Sequence, residues 1–208
     1  MPEDQSPMTA PAPASRDAYH LLTTRRSVKT RDMTGPGPDR ADVEKILTAA
    51  TRVPDHGKLT PWRFHAFIGD DRQQLADLLH DAMMAEEGSE RKARAMADYA
   101  LQTPAVVLAI STPSMEKPIP AWEQHLSMGA ACQTLLIAAH SLGFVGQWLT
   151  GWAATSPTVA AKLGLGGMDR IAGYLFLGSP PDTPPTERER PALEDVATFG
   201  LPHTSHGA

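Results

Sequence analysis

The chain has 208 residues, 41% of them hydrophobic, and a formal net charge of −5 carried by interspersed charges of both signs. This suits one globular domain with a sizeable core, and the lack of a basic face argues against nucleic acid or an anionic membrane surface as a partner. The single cysteine, Cys132, sits in an apolar helical pattern, which excludes an intrachain disulfide framework, suits a reducing cytoplasmic setting and marks it as core filler.

Residues 1–15 are acidic and proline-rich with no apolar core, so they are expected to be a disordered tail rather than a secretory signal or membrane anchor. One domain is expected over residues 16–200, with a second disordered tail at 201–208. From Asp17 the segment "AYHLLTTRRS" reads as a helix with Tyr19 and Leu22 on one face and Arg25 and Arg26 at its exit. The exit continues as "RRSVK", Arg25 to Lys29, which puts two guanidiniums, a hydroxyl and an ammonium within five positions. That set suits one phosphate, or else a solvated helix end.

After a Gly/Pro turn, Asp39 is placed to cap a helix with Val43, Ile46, Leu47 and Ala50 on its apolar face. Pro54 favours an extended Val53, so this helix should end near Arg52. The polar loop "RVPDHGKLTP" then leads into a strand, "WRFHAFIG". Two helices, "DRQQLADLLHDAMMAEE" and "SERKARAMADYALQ", are expected at the periphery of a sheet, followed by the strand "AVVLAIST".

Gln124 to Ala161 is a run of 38 residues without Asp, Glu, Lys or Arg. Its His, Gln, Ser, Thr and Gly content opposes a membrane span, so "WEQHLSMGAACQTLLIAAHSLG" is expected to be a helix buried on all sides, closed by Gly143. "VGQWLTG" and "RIAGYLFLGSP" supply two more strands, and a proline-rich stretch opens an irregular C-terminal arm.

No G-x-S-x-G, P-loop, H-E-x-x-H or zinc-binding Cys/His spacing occurs, and "LGLGG" does not follow a strand, so it is no dinucleotide fingerprint. His56, His65 and Asp55 do not make a convincing metal set, and no metal is expected. Side-chain chemistry alone is therefore poorly supported. The polar loop is either a solvated turn or part of a site.

Four motifs in register bear on that choice: "RRS" at Arg25 to Ser27, "RVPDH" at Arg52 to His56, "PW" at Pro61 and Trp62, and "PAWEQ" at Pro120 to Gln124. With them the chain resembles the nitroreductase family of flavoproteins, in its short bacterial branch, across roughly residues 17–181. The resemblance implies an α+β sandwich with a central, mostly antiparallel sheet flanked by helices, a homodimer, and one FMN in each of two clefts at the dimer interface. It implies that Arg25, Arg26 and Ser27, with Lys29 as a further candidate, hold the FMN phosphate and ribityl chain. Arg52 and His56 would reach the same flavin from the partner subunit. Trp148, Leu149 and Thr150 of "QWLTG" would touch it near its phosphate or ring. A cation near the pyrimidine edge stabilises a reduced flavin anion, a role open to Arg52 or Lys58.

Two departures accompany the resemblance. The family pattern has a cation where this chain has Leu149, and the commoner Ser-Ser-x-Asn-x-Gln-Pro-Trp loop is absent, with Thr60 in place of the glutamine. The activity implied is FMN-dependent transfer of hydride and electrons from NAD(P)H to a small acceptor such as a nitroaromatic or a quinone. The alternatives are a flavin-binding protein without efficient turnover, or a branch with other flavin chemistry such as flavin fragmentation or dehalogenation.

Overall fold

Four strands form one antiparallel sheet in the order β1-β2-β4-β3: β1 Trp62–Ile68, β2 Ala105–Ser111, β3 Val145–Leu149 and β4 Arg170–Gly178. The computed structural model describes residues 16–183 and 185–200, so the expected tails at 1–15 and 201–208 lie outside the described residues. β2 is buried along its whole length, which is why it reads as an unbroken apolar run rather than an alternating one. Between β2 and β4 the register shifts at Ala109 and Ile110. Gly173 lies opposite Ala109, with a φ of +147° and no room for a side chain: a Cβ there would come within 2.3 Å of Trp148 Nε1.

The helices are α1 Arg16–Thr24, α2 Arg40–Ala50, α3 Arg72–Glu87, α4 Glu90–Leu101, α5 Ala121–Ser141, α6 Trp152–Thr155, α7 Pro157–Lys162 and α8 Leu193–Val196. As expected, Asp39 caps α2, its carboxylate accepting from the Asp42 N–H at 2.9 Å. The helix ends two residues before Arg52, because the Thr51 and Arg52 amides close the last turn and the chain must then extend ahead of Pro54. α6 and α7 were not anticipated. α7 nonetheless carries a readable start, with Ser156 Oγ accepting from the Val159 N–H and Pro157 at the first helical position.

One face of the sheet packs against α2 and α5, joining Val43, Ile46, Met128, Cys132 and Leu135 to Val107, Leu175 and Leu177. The other packs against α3, α4, α6 and α7, joining Leu75, Leu79, Ala100 and Val159 to Val106, Leu108, Tyr174 and Phe176. The helices expected at the periphery therefore form a complete second layer. Burial pushes the Cys132 thiol up to about 12, which keeps it protonated and inert, as core filler should be.

α5 departs from expectation. It was expected to be buried on all sides, yet in the single chain Trp122 and Leu126 are 63% and 65% exposed. A helix lying on a sheet buries the side facing the sheet, and among the described residues nothing covers Trp122 and Leu126 on the other side. Tyr19 and Leu22 of α1 are also exposed, at 72% and 53%. Among the described residues no helix is long and apolar enough to cross a membrane.

Candidate functional site

After α1 the chain runs beside the start of β3. Ser27 bridges Gly146, and the Val28 N–H donates to the Gly146 carbonyl at 3.3 Å. Gly146 itself is needed for close packing against α5 and β4, since a Cβ there would lie 2.7 Å from Leu136 and 3.0 Å from Leu177. The ring nitrogens of His140 lie 2.7 Å from the Leu136 carbonyl and 3.0 Å from that of Arg26, tying the "RRS" segment to the last turn of α5. Arg25 meets α5 further back, where the Gln133 amide, assigned with its oxygen toward the guanidinium to satisfy both groups, accepts from Nη2 at 3.1 Å and Nε at 3.0 Å.

A small pocket here is lined by Arg25, Arg26, Ser27, Thr186, Arg188 and Arg190. Burial first, and then the neighbouring Arg190, lower the pKa of Arg25, which means that its charge is poorly compensated. Among the described residues neither Arg25 nor Arg188 makes an ion pair, while Arg26 and Arg190 both meet Glu187. Guanidiniums gathered in this way suit a compact, doubly charged anion with several acceptor oxygens. Lys29 is exposed and lines an adjoining polar groove of about 690 Å³ with Ser27 and Arg188. Sequence reasoning did not single out Arg188 and Arg190; their one signal was the alternation "ERER" in the arm beyond β4.

The loop from Arg52 to Pro61 is braced by its own hydrogen bonds, with Arg52, His56 and Lys58 exposed on it. The Asp55 carboxylate folds back to accept from the N–H groups of Leu59 at 3.1 Å and Thr60 at 2.9 Å. Those bonds support Lys58 and Thr60 in the left-handed region, at φ +55° and +52°, where non-glycine residues carry strain. Gly57 is required, because its φ is +74° and a Cβ would lie 2.4 Å from Ile119. Ser127 of α5 clasps the loop from below, its hydroxyl donating to the Pro54 carbonyl at 2.5 Å and accepting from Trp62 Nε1 at 3.2 Å. On this support His56 Nδ1 stands 2.8 Å from Glu123 Oε2, at the edge of a cleft of about 320 Å³ shared with Ile119, Leu126 and Ala130. Arg52 is exposed at the loop's start.

At the end of β3 the three candidates part. Trp148 packs into the α2/α5 core, and its Nε1 donates to the Ala172 carbonyl at 2.9 Å. Leu149 and Thr150 line an apolar pocket of about 330 Å³ with Met96, Tyr99 and Trp152. Glu86 fixes that wall by accepting from Trp152 Nε1 at 2.8 Å, Ser156 Oγ at 2.5 Å and the Thr158 N–H at 3.2 Å. Of the nine candidate residues, Arg25, Arg26 and Ser27 therefore share one pocket and Lys29 the adjoining groove. Arg52 and His56 belong to a separate loop, and Leu149 and Thr150 to another pocket.

This architecture, an antiparallel sheet between two helical layers, has counterparts among known proteins. The nitroreductase-family profile matches residues 22–179, and the chain belongs to that family. YdjA of Escherichia coli (strain K12), an NAD(P)H nitroreductase by name only, is 33% identical over 165 residues, covering 79% of this chain and 88% of YdjA. A nitroreductase-like family protein from Bacillus cereus superposes with a TM-score of 0.75 at 24% identity, over 93% of this chain and 98% of that one. The FMN and NADPH-dependent nitroreductase NfnB from Sphigopyxis sp. strain HMH gives 0.65 at 22% identity, over 88% and 99%. The two structural likenesses speak to the fold alone.

Proposed function

We propose that the chain is a homodimeric FMN-dependent NAD(P)H oxidoreductase, and the observation that carries this reading is the arginine pocket at the α1 exit. Arg25, Arg188 and Arg190 present guanidiniums without enough carboxylate to balance them, and Ser27 adds a hydroxyl. The dianionic phosphate ester of FMN fits this set, and among the described residues one such cradle stands out rather than the two that a pyrophosphate would use. The arm adds Arg188 and Arg190 to this pocket, which Leu149 does not line. The relatives' names, NAD(P)H nitroreductase for YdjA and FMN and NADPH-dependent for NfnB, agree with this assignment.

The chemistry that FMN supplies when bound is two-electron transfer between NAD(P)H and a small acceptor such as a nitroaromatic or a quinone. The chain's own part is to bind, orient and shield. Arg25, held by Gln133, neutralises the phosphate end. The Asp55-braced loop presents the Arg52 guanidinium and the His56 ring at one edge, and Glu123 fixes the His56 ring. The exposed apolar side chains Tyr19 and Leu22 of α1 and Trp122 and Leu126 of α5 support a second copy as the covering surface, in an interface of more than about 2,000 Å² in total.

The test is steady oxidation of NADH or NADPH by the purified protein supplied with FMN, with a nitroarene or a quinone as acceptor. Turnover that depends on both flavin and acceptor is expected. Bound flavin that only dithionite reduces would replace this reading with a flavin-binding role.

A further inference from the structure

The C-terminal arm is held to the body by very little. Ser179 and Thr34 exchange backbone hydrogen bonds of 2.9 and 3.0 Å, and Thr34 Oγ1 donates to the Pro180 carbonyl at 3.2 Å. From 181 to 200, among the described residues, the one hydrogen-bonded or ionic tie to the rest of the chain is Glu187 to Arg26. Arg26 commits two nitrogens to it: Nε donates to Glu187 Oε2 at 2.5 Å, and Nη2 meets the same oxygen. Glu187 is equally occupied, its Oε1 accepting from its neighbour's backbone, Arg188 N–H at 3.1 Å, and from Arg190 Nη2 at 3.4 Å. The arm's two phosphate-facing cations therefore hang on one carboxylate and one guanidinium.

We infer that Arg26 is a positioning residue rather than a phosphate ligand: with Glu187 it clasps the C-terminal arm so that Arg188 and Arg190 complete the anion pocket begun by Arg25 and Ser27. This rests on the FMN reading for the identity of the anion, though not for the clasp. The pair is half-exposed, at 33% and 51%, and such pairs hold weakly. Arm closure is then close to balanced in the cofactor-free protein, and an anion that touches only the closed arm pulls it shut. By the same linkage, anything that opens the arm lowers apparent anion affinity by the fraction left closed.

Two measurements separate the clasp from direct ligation. In phosphate-free buffer without cofactor, trypsin cuts after Arg188 at a rate set by how often the arm opens. Arg26→Gln, which leaves the sequence at that bond unchanged, is expected to raise this rate, and added inorganic phosphate is expected to slow it in the unaltered protein. FMN affinity, followed by quenching of flavin fluorescence, gives the sign. Glu187→Gln is expected to weaken binding by about two- to fivefold, the scale of an exposed ion pair. If instead Arg26 grips the phosphate and Glu187 competes with it, Glu187→Gln tightens binding. The swapped pair Arg26→Glu with Glu187→Arg is expected to recover the affinity lost by Arg26→Glu alone.

Tighter or unchanged binding in Glu187→Gln, or no rescue by the swap, overturns the clasp. An unaltered protein that ignores FMN while Arg26→Gln still speeds cleavage sinks the flavin reading and leaves the clasp standing.

Discussion

Arg25 should trade stability for binding, and Arg25→Met tests this because it keeps the length of the side chain while removing its charge. In the cofactor-free chain the guanidinium is partly desolvated and crowded by Arg190, both of which lower its pKa; its hydrogen bonds to the Gln133 amide are its compensation. Removing a charge held at a disadvantage costs the fold little, within about 0.5 kcal/mol for a site this exposed, and relief of the repulsion favours the variant. Binding behaves oppositely. A charge-assisted hydrogen bond to phosphate contributes about 1.5–3 kcal/mol, so the FMN dissociation constant should rise roughly ten- to 150-fold. Thermal unfolding of the cofactor-free variant and fluorescence titration with FMN measure the two halves. The expected pattern is a melting temperature equal to or above that of the unaltered protein, together with weak FMN binding that added salt weakens no further in proportion, since one screened contact is gone. FMN affinity within twofold of the original would remove Arg25 from the phosphate site, and a marked loss of stability would show that its bond to Gln133 outweighs the crowding.

The three donors on Glu86, Ser156 and Thr158 ahead of Trp152, lower its carboxyl from 4.5 to about 2. The stability this gives is present above pH 4.5 and is lost as pH falls toward 2, so Glu86→Gln should melt earlier than the unaltered protein at pH 7 and the gap should close on acidification; a gap independent of pH would refute the linkage. Gly173→Ala forces a Cβ to within 2.3 Å of Trp148 Nε1 and 2.7 Å of the Leu149 carbonyl at a φ of +147°, so a loss of roughly 2–4 kcal/mol in chemical denaturation is expected. An unchanged midpoint would mean that the register shift in β4 relaxes freely. Leu126→Arg places a charge on the exposed stripe of α5 and should yield monomers in sedimentation with FMN binding lost; a dimer that still binds FMN would put the interface elsewhere.

Much of the fold was legible because its signals are local. The apolar run of β2, the Asp39 cap and the uncharged stretch around α5 each depend on neighbours in sequence, and each stands where expected. α6 and α7 escaped because helices of four and six residues carry little periodicity. The candidate site was half legible for a different reason. "RRS" and "RVPDH" announce themselves by composition, whereas Arg188 and Arg190 lie about 160 positions from Arg25 in a tail whose mixed charges look solvated. The left-handed Lys58 and Thr60 could not be read at all, since neither residue type favours that conformation and hydrogen bonds from distant or folded-back groups, the Asp55 carboxylate and Lys117 among them, sustain it. Trp148 drew notice through its motif, yet its indole bonds to Ala172 between two strands.

In the proposed homodimer, the separation of the two clusters within one chain and the exposed Trp122 and Leu126 of α5 would have a common geometric explanation. Glu123 holds His56 near the start of α5, and Gln133 holds Arg25 ten residues later, so the two clusters stand about 15 Å apart along one helix at 1.5 Å per residue. A two-fold axis crossing α5 midway between them would reverse that order in the second copy of the proposed homodimer. It would set the loop end of one α5 opposite the Arg25 end of the other, twice over, as an isologous contact requires. At that midpoint the outward positions are Leu126, Gly129 and Ala130. Gly129 leaves open space where a side chain would begin, which lets two helices approach closely, and Leu126 supplies the apolar contact. Such a dimer would cover Trp122 and Leu126 by the same act that brings His56 of the partner subunit toward the arginine pocket. Burial of the stripe and completion of the cleft would then be one event, and a surface charge on that stripe would cost both.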